Sequence, residues 1–368
     1  MTGIKFLKGY GISITQKNNQ VCLTDGADPF TGKRDTESYY ITQFPYEKIV
    51  LCGDGYISTK AIALLLQNNV HLIQVDTFGN LITSMSTPAQ SPVMTKWRMG
   101  QYQTFSNHTK VHKLRLYFQE LKISSQIRLF EYLLGDSKKS IKSNSRLGHT
   151  ARILKSNYSK LMQSKTHNQI DRIEQESAIV YFKQFAQLIP ERFDYSTRYN
   201  GVWSNQSKEN ATNVINALLN YGYSVLASDI AKYVHVFGLD PYYGFYHKTR
   251  YFMALVYDII EPFRVLVDST VLQMANSDYY PAGRINKKLY YNTNKGFVLL
   301  DKKLIVMFLE RLQVTMNKKR PYHISKGRRS EKLKNEMSHA QESTIIREEV
   351  RTLADYCIGK SKMFYYSQ

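Results

Sequence analysis

Up to about residue 90, apolar and polar positions alternate, the period of a strand with one buried face. Gly11-Ile12-Ser13-Ile14-Thr15 and Val21-Cys22-Leu23 flank the polar run Lys17-Asn18-Asn19-Gln20, a hairpin signature. Lys48 to Cys52 reads as a further strand, closed by Gly53-Asp54-Gly55. Thr59 is placed to cap a short helix through residues 61–65, which Asn68-Asn69 ends. A strand over 70–75 and a turn at Phe78-Gly79-Asn80 follow. The Gly53-Asp54-Gly55 loop has neither a P-loop lysine nor a G-x-G-x-x-G run, so it reads as a strand-to-helix turn.

Pro88-Ala89-Gln90-Ser91-Pro92 has the composition of a linker, and beyond it apolar residues recur at three-to-four spacing. That period predicts helices over 97–105, 110–131, 170–188, 214–237, 251–266 and 302–316. Residues 136–165, rich in Ser and Lys, read as containing a connection. Between 317 and 335 stand eight Lys or Arg and one Glu, a solvated loop or a strip that follows a phosphate backbone. The expected fold class is α+β: a β-rich domain over 1–90, then a larger all-α domain over 91–368.

Composition narrows the partners. With 368 residues and 43% hydrophobic ones, the chain can bury a sizeable core. Its formal net charge of +20 and its 28 tyrosines point to nucleic acid, with a merely basic soluble enzyme as the competing account. Cys22, Cys52 and Cys357 are far apart and form no C-x-x-C, so neither a disulfide framework nor a zinc knuckle is indicated. No apolar run is long enough to span a membrane, and the first residues lack the apolar stretch of a signal peptide; a cytoplasmic protein is expected.

Candidate chemistry lies in the aromatic and aliphatic stretch 238–264, which carries His247, Asp258 and Glu261. Asp258 and Glu261 share one helix face, and His247 falls on the lead-in. Pro262 removes the donor for the carbonyl of Asp258 and must distort the helix beside both acids. A second acid, Glu174, shares a face with Ala178 and Tyr181, whereas Glu176 projects to the other side. Each residue alone has an ordinary account, as a satisfied core histidine or a surface glutamate. The set, without a thiolate nearby, favours Mg2+ or Mn2+ over zinc and suits phosphodiester chemistry. A protein nucleophile is less well supported, because His235 and His247 have no Cys or G-x-S-x-G partner.

Four stretches, in order, resemble the CRISPR-associated adaptation integrase family: Glu174 to Phe182, Asn216-Ala217-Leu218-Leu219-Asn220-Tyr221-Gly222-Tyr223, Gly238 to His247, and Asp258-Ile259-Ile260-Glu261-Pro262-Phe263-Arg264. Gly53 to Ser58 and Asp76 to Gly79 fit the family's β domain. The resemblance implies that Glu174, His247 and Glu261 hold the divalent ion, with Asp258 in support among the catalytic residues. It implies an N-terminal domain that forms a homodimer and a helical catalytic domain. The implied activity is a DNA endonuclease and integrase that inserts spacers by attack of a 3′-hydroxyl on a phosphodiester. Its implied partners are double-stranded DNA (spacer precursor and CRISPR repeat) and a small ferredoxin-like CRISPR-associated protein. Two departures stand out: Asn213-Val214 replaces a common Asp-Pro, and Gln175-Glu176 follows Glu174 where a glycine and a small or basic residue are common.

Arg172, Lys183, Lys248, Arg250 and Arg264 lie close in sequence to these residues and are candidates for DNA phosphates. Tyr246 and Tyr251 are expected to pack rather than to stack on bases. Two other readings remain. One is the integrase of a self-synthesising transposon, expected to carry a further DNA-binding domain for which the residues after Tyr365-Tyr366 leave no room. The other is a metal-free nucleic-acid-binding protein with structural acids.

Overall fold

The computed structural model describes residues 3–27, 34–76, 81–85, 93–136, 146–198, 211–247, 253–276, 285–294, 296–322 and 338–360. The expected turn at 78–80, the linker at 88–92, Lys248, Arg250 and Tyr251 lie outside them, as does most of the basic run 317–335.

Strands β1 (Gly3–Lys8), β2 (Ile12–Lys17), β3 (Gln20–Thr24), β4 (Thr36–Tyr40), β5 (Tyr46–Cys52) and β6 (Gly55–Ile57) precede helix α1 (Thr59–Gln67) and strands β7 (His71–Val75) and β8 (Leu81–Met85). The β2–β3 hairpin closes on Asn18 and Asn19, whose φ values of 50° and 58° suit the tight two-residue turn. The cap of α1 is one residue earlier than expected: Ser58, not Thr59, accepts from the Ala61 N–H at 3.2 Å. Asn68 ends that helix.

Two four-stranded sheets result, with orders β1-β5-β7-β8 and β4-β3-β2-β6. The first is buried on both faces, because its side chains alternate between two cores. Leu7, Ile49, Leu51 and Leu72 meet Ile14, Val21 and Leu23 of the second sheet. Phe6, Val50, Cys52, Ile73 and Val75 face the helices instead. Lys48 ties the sheet to the helical part through Asp229 at 2.6 Å.

The helical part contains α2 (Val93–Phe105), α3 (His108–Asp136), α4 (Arg146–Met162), α5 (His167–Leu188) and α6 (Val214–Val236). Helix α4 stands where the sequence suggested a connection: its Leu154 and Leu161 are buried, so a Ser- and Lys-rich composition masked an apolar stripe. Thr166 and Gln169 form a capping box that fixes the start of α5. Asn213 caps α6 by accepting from the Asn216 N–H at 2.9 Å, so the departure from Asp-Pro preserves the helix start. Helix α6 is buried along most of its length and runs through the core. At Gly222 a Cβ would stand 2.4 Å from Val267 and 2.7 Å from Phe308, which explains the glycine at this helix crossing.

The single helix expected over 251–266 is broken. Helix α7 (Ala254–Ile260) passes into a 3-10 turn (Glu261–Phe263) at Pro262, and α8 (Arg264–Ala275) follows. Helices α9 (Lys302–Met316) and α10 (Glu342–Cys357) complete the helical set. Two short antiparallel pairs add to it: β9 (Tyr290–Asn292) with β10 (Val298–Leu300), and β11 (Lys319–Tyr322) with β12 (Ser338–Gln341). The sum is a β-rich N-terminal region and a larger helical region, as expected for α+β.

Candidate active site

Glu174 projects from α5 and Glu261 from the 3-10 turn after α7, and the two carboxylates converge on one cation, the ammonium of Lys122 on α3. Its Nζ stands 2.6 Å from Glu174 Oε1 and 2.7 Å from Glu261 Oε2. Arg264 Nε donates to the other oxygen of Glu261 at 2.9 Å, and its guanidinium lies over the Tyr223 ring at 4.6 Å. Burial raises the Glu261 carboxyl, but Arg264 and Lys122 outweigh it and hold the group down at about 2. Burial likewise depresses the Lys122 ammonium, and the two glutamates overcome it and raise it above the ordinary lysine value.

His247 is fixed from the other side. Its Nδ1 meets Asp258 Oδ1 at 2.6 Å, and its backbone N–H donates to the same oxygen at 2.8 Å. The N–H groups of Phe245 and Tyr246 donate to Asp258 Oδ2 at 2.6 and 2.9 Å. Gly244 permits this wrapping, because a Cβ there would stand 2.5 Å from Asp258 Oδ2. With Nδ1 committed to a carboxylate, Nε2 is the ring nitrogen available to a cation, the arrangement of a carboxylate-oriented metal histidine. Burial lowers the imidazole, while Asp258 and the nearby Glu261 charge raise it further, so it ends above the ordinary histidine value.

The loop carrying His247 has a second brace that the sequence did not reveal. Arg115 of α3 donates to the carbonyls of Phe245 and Tyr246, each at 3.2 Å, and its guanidinium lies 4.5 Å from the Tyr246 ring centroid. It also pairs with Asp171. Both missed residues, Arg115 and Lys122, lie on α3 two turns apart, on one face; two basic residues seven apart in a helix-forming segment are the signal that was present. Tyr246 packs against this arginine, in line with the packing role expected for it.

A cleft of about 480 Å³ opens beside His247, lined among others by Phe105, His108, Arg115, His167 and Tyr243. A larger cavity of about 820 Å³ lies behind Pro262 and Phe263, walled by Leu121, Leu129, Leu266 and Leu272. None of the four predicted acid and imidazole groups lines it.

The structure thus brings Glu174 and Glu261 together and joins His247 to Asp258. Among the described residues no three His, Cys, Asp or Glu side chains are close enough to form a metal-binding group, and Lys122 stands between the two glutamates. The ammonium of Lys122 bridges the two carboxylates, and oxygen donors with one imidazole are of the chemical type that suits Mg2+ or Mn2+. The basic candidates divide. Arg264 faces the site and serves Glu261. Arg172 pairs with Glu176 at 3.0 Å and stands about 200° around α5 from Glu174. Lys183 is exposed about 180° from Glu174, so neither residue approaches the carboxylates.

No helix among the described residues is long and apolar enough to cross a membrane. The fold resembles a casposase bound to integration product (TM-score 0.81, 24% identity, covering 99% of this chain and 92% of that one). It also resembles a Cas1 protein from Thermotoga maritima (TM-score 0.70, 15% identity, covering 100% of both chains). In sequence the chain is 26% identical over 316 residues to CRISPR-associated protein Cas1 3 of Methanobrevibacter ruminantium, covering 82% of this chain and 84% of the relative. It is 29% identical over 238 residues to CRISPR-associated endonuclease Cas1 1 of Archaeoglobus fulgidus, covering 62% and 67%. The family model for CRISPR associated protein Cas1 matches residues 6–314, and with this span matched the chain belongs to the Cas1 family of CRISPR endonucleases and integrases.

Proposed function

We propose that the protein is a divalent-metal-dependent DNA integrase that joins the 3′-hydroxyl of a spacer precursor to a CRISPR repeat by transesterification. The observation that carries this reading is the meeting of Glu174 and Glu261, from separate segments, on a single cation. Glu174, Glu261 and Nε2 of His247 would hold Mg2+ or Mn2+. When bound, such an ion polarises the phosphoryl oxygen and lowers the pKa of the attacking hydroxyl.

The chain's own residues do the rest. Asp258 and Arg115 fix the loop from Phe245 to His247 and hold the imidazole by Nδ1, leaving Nε2 as the nitrogen that would meet the ion. Arg264 orients Glu261 through one oxygen and keeps it ionised. The cleft beside His247 leaves that residue and Arg115 open to an incoming strand. The proposed partners are double-stranded DNA, a second copy of the chain through the β-rich region, and a small ferredoxin-like CRISPR-associated protein. A solved complex of similar fold is described as Cas6-RT-Cas1–Cas2, which supports such an assembly. The proposed location is the cytoplasm.

The test is strand transfer of a short DNA duplex into a repeat-containing plasmid. Activity is expected with Mg2+ or Mn2+ and absent with EDTA or in Glu174→Ala; transfer that survives both would overturn the reading. The likeness to a casposase favours a second reading, integration of transposon ends. Offering CRISPR-repeat and random targets in competition separates the two, since insertion at repeat boundaries is expected only of the first.

A further inference from the structure

We infer that Lys122 is the resident counter-cation of the site: its ammonium holds the position between Glu174 and Glu261 that a divalent ion takes, and the two compete. The inference rests on the metal-dependent reading above and concerns what the protein does before the ion arrives.

Two carboxylate oxygens, Glu174 Oε1 and Glu261 Oε2, each lie within hydrogen-bond reach of the same Nζ, at 2.6 and 2.7 Å. The lysine is buried with them: its side chain is 12% exposed, against 20% for Glu174 and 10% for Glu261. Like charges this close in a partly desolvated site repel strongly, so the pair requires a cation at all times. The gap is bridged by one ammonium, and a second cation added between these oxygens would repel it.

The two cations that contact Glu261 differ in how easily they can leave. Arg264 is pinned by its bond to Oε1 and by stacking on Tyr223. Lys122 offers a point charge on a flexible four-carbon stem, with no ring stacking and no planar fork. Lys122 is therefore the cation that yields, while Arg264 keeps Glu261 oriented during the exchange. Lys122 comes from α3, the helix that also braces the His247 loop through Arg115, so the ion-free site keeps its shape from one element.

The experiment compares full-length wild type with Lys122→Met, measuring Mn2+ affinity by titration and melting temperature in EDTA. The variant is expected to melt lower in EDTA and to bind Mn2+ at least about tenfold tighter, one competing charge having been removed. A folded variant with unchanged or weaker Mn2+ affinity overturns the inference. Should Lys122→Met not fold, the wild type still decides: amine acylation at Lys122, followed by mass spectrometry, is expected to run several-fold faster in Mg2+ than in EDTA. Equal labelling in the two conditions overturns it. Wild-type Mn2+ binding that Glu174→Ala abolishes keeps the metal site itself standing, whatever Lys122 does. Absence of Mn2+ binding in wild type removes both.

Discussion

Glu261 and Asp268 are buried carboxylates seven residues apart in the chain, and their neighbours could hardly differ more. Glu261 faces Lys122 and Arg264, which hold it charged, at about 2. Asp268 accepts from two phenols, Tyr223 and Tyr181, the latter at 2.7 Å. Burial pushes it up, and these bonds recover only part, leaving it at about 6. Glu349 repeats the second pattern, held by Tyr117 at 2.8 Å and Tyr322 at 2.7 Å, and is likewise raised. A carboxylate surrounded by cations is prepared to meet another one; a carboxylate surrounded by phenols holds helices together. Arg264 connects the two settings, bonded to Glu261 and stacked on Tyr223, the ring whose hydroxyl serves Asp268.

The sharpest way to break this contrast is to neutralise each acid in turn. Glu261→Gln should cut strand transfer by about a thousandfold, the scale of several kcal/mol that a bound ion supplies to a phosphoryl transition state. Asp268→Asn should stay within about tenfold of wild type at its optimum, and an equal loss in both variants would erase the distinction. In stability the two acids respond to pH in opposite directions, Glu261 being lowered and Asp268 raised. The folded Asp268 binds its proton more tightly than the unfolded chain does, so its contribution is present below the ordinary value of 3.8 and lost as pH rises through about 6. That difference amounts to on the order of 3 kcal/mol. Asp268→Asn should remove it, so that the variant's melting temperature falls less than that of wild type between about pH 4 and about pH 7. Parallel melting curves would contradict this.

Asp258 sharpens the comparison further, since it touches the site through His247 alone. Asp258→Asn keeps the shape but loses the charge that fixes the imidazole, and should weaken Mn2+ binding by about 10- to 100-fold. Unaltered affinity would reduce Asp258 to a loop brace. The smallest effect is expected on the outer face of α5. Arg172→Ala should leave the salt dependence of DNA binding within one unit of slope, because its partner is Glu176. A flatter slope would show that this face contacts phosphates after all.

Local signals in the sequence survived folding. Asn18-Asn19 gave the hairpin, Asn213 capped α6, and Pro262 divided the helix beside Glu261. Glu174 turned inward and Glu176 outward, as helical geometry requires. What stayed hidden was contact at a distance. Lys122 reads as one more polar position on a long helix, and nothing local shows that Glu174, 52 residues on, will reach it. Arg115 reads the same way, yet it bonds to carbonyls 130 and 131 residues away. Helix α4 was obscured by composition, its Leu147, Leu154 and Leu161 standing in a segment rich in Ser and Lys.

The sheet β1-β5-β7-β8 gives its odd and even side chains to different interiors. It is a party wall, and removing either room brings the other down. A fragment cut near residue 90 would leave the helices without Phe6, Val50, Ile73 and Val75 as a lining, and would strand the sheet with an oily outer surface. Neither piece should be recoverable as a well-behaved protein. The change of rhythm along the chain marks where its composition turns, while cooperativity runs straight through it.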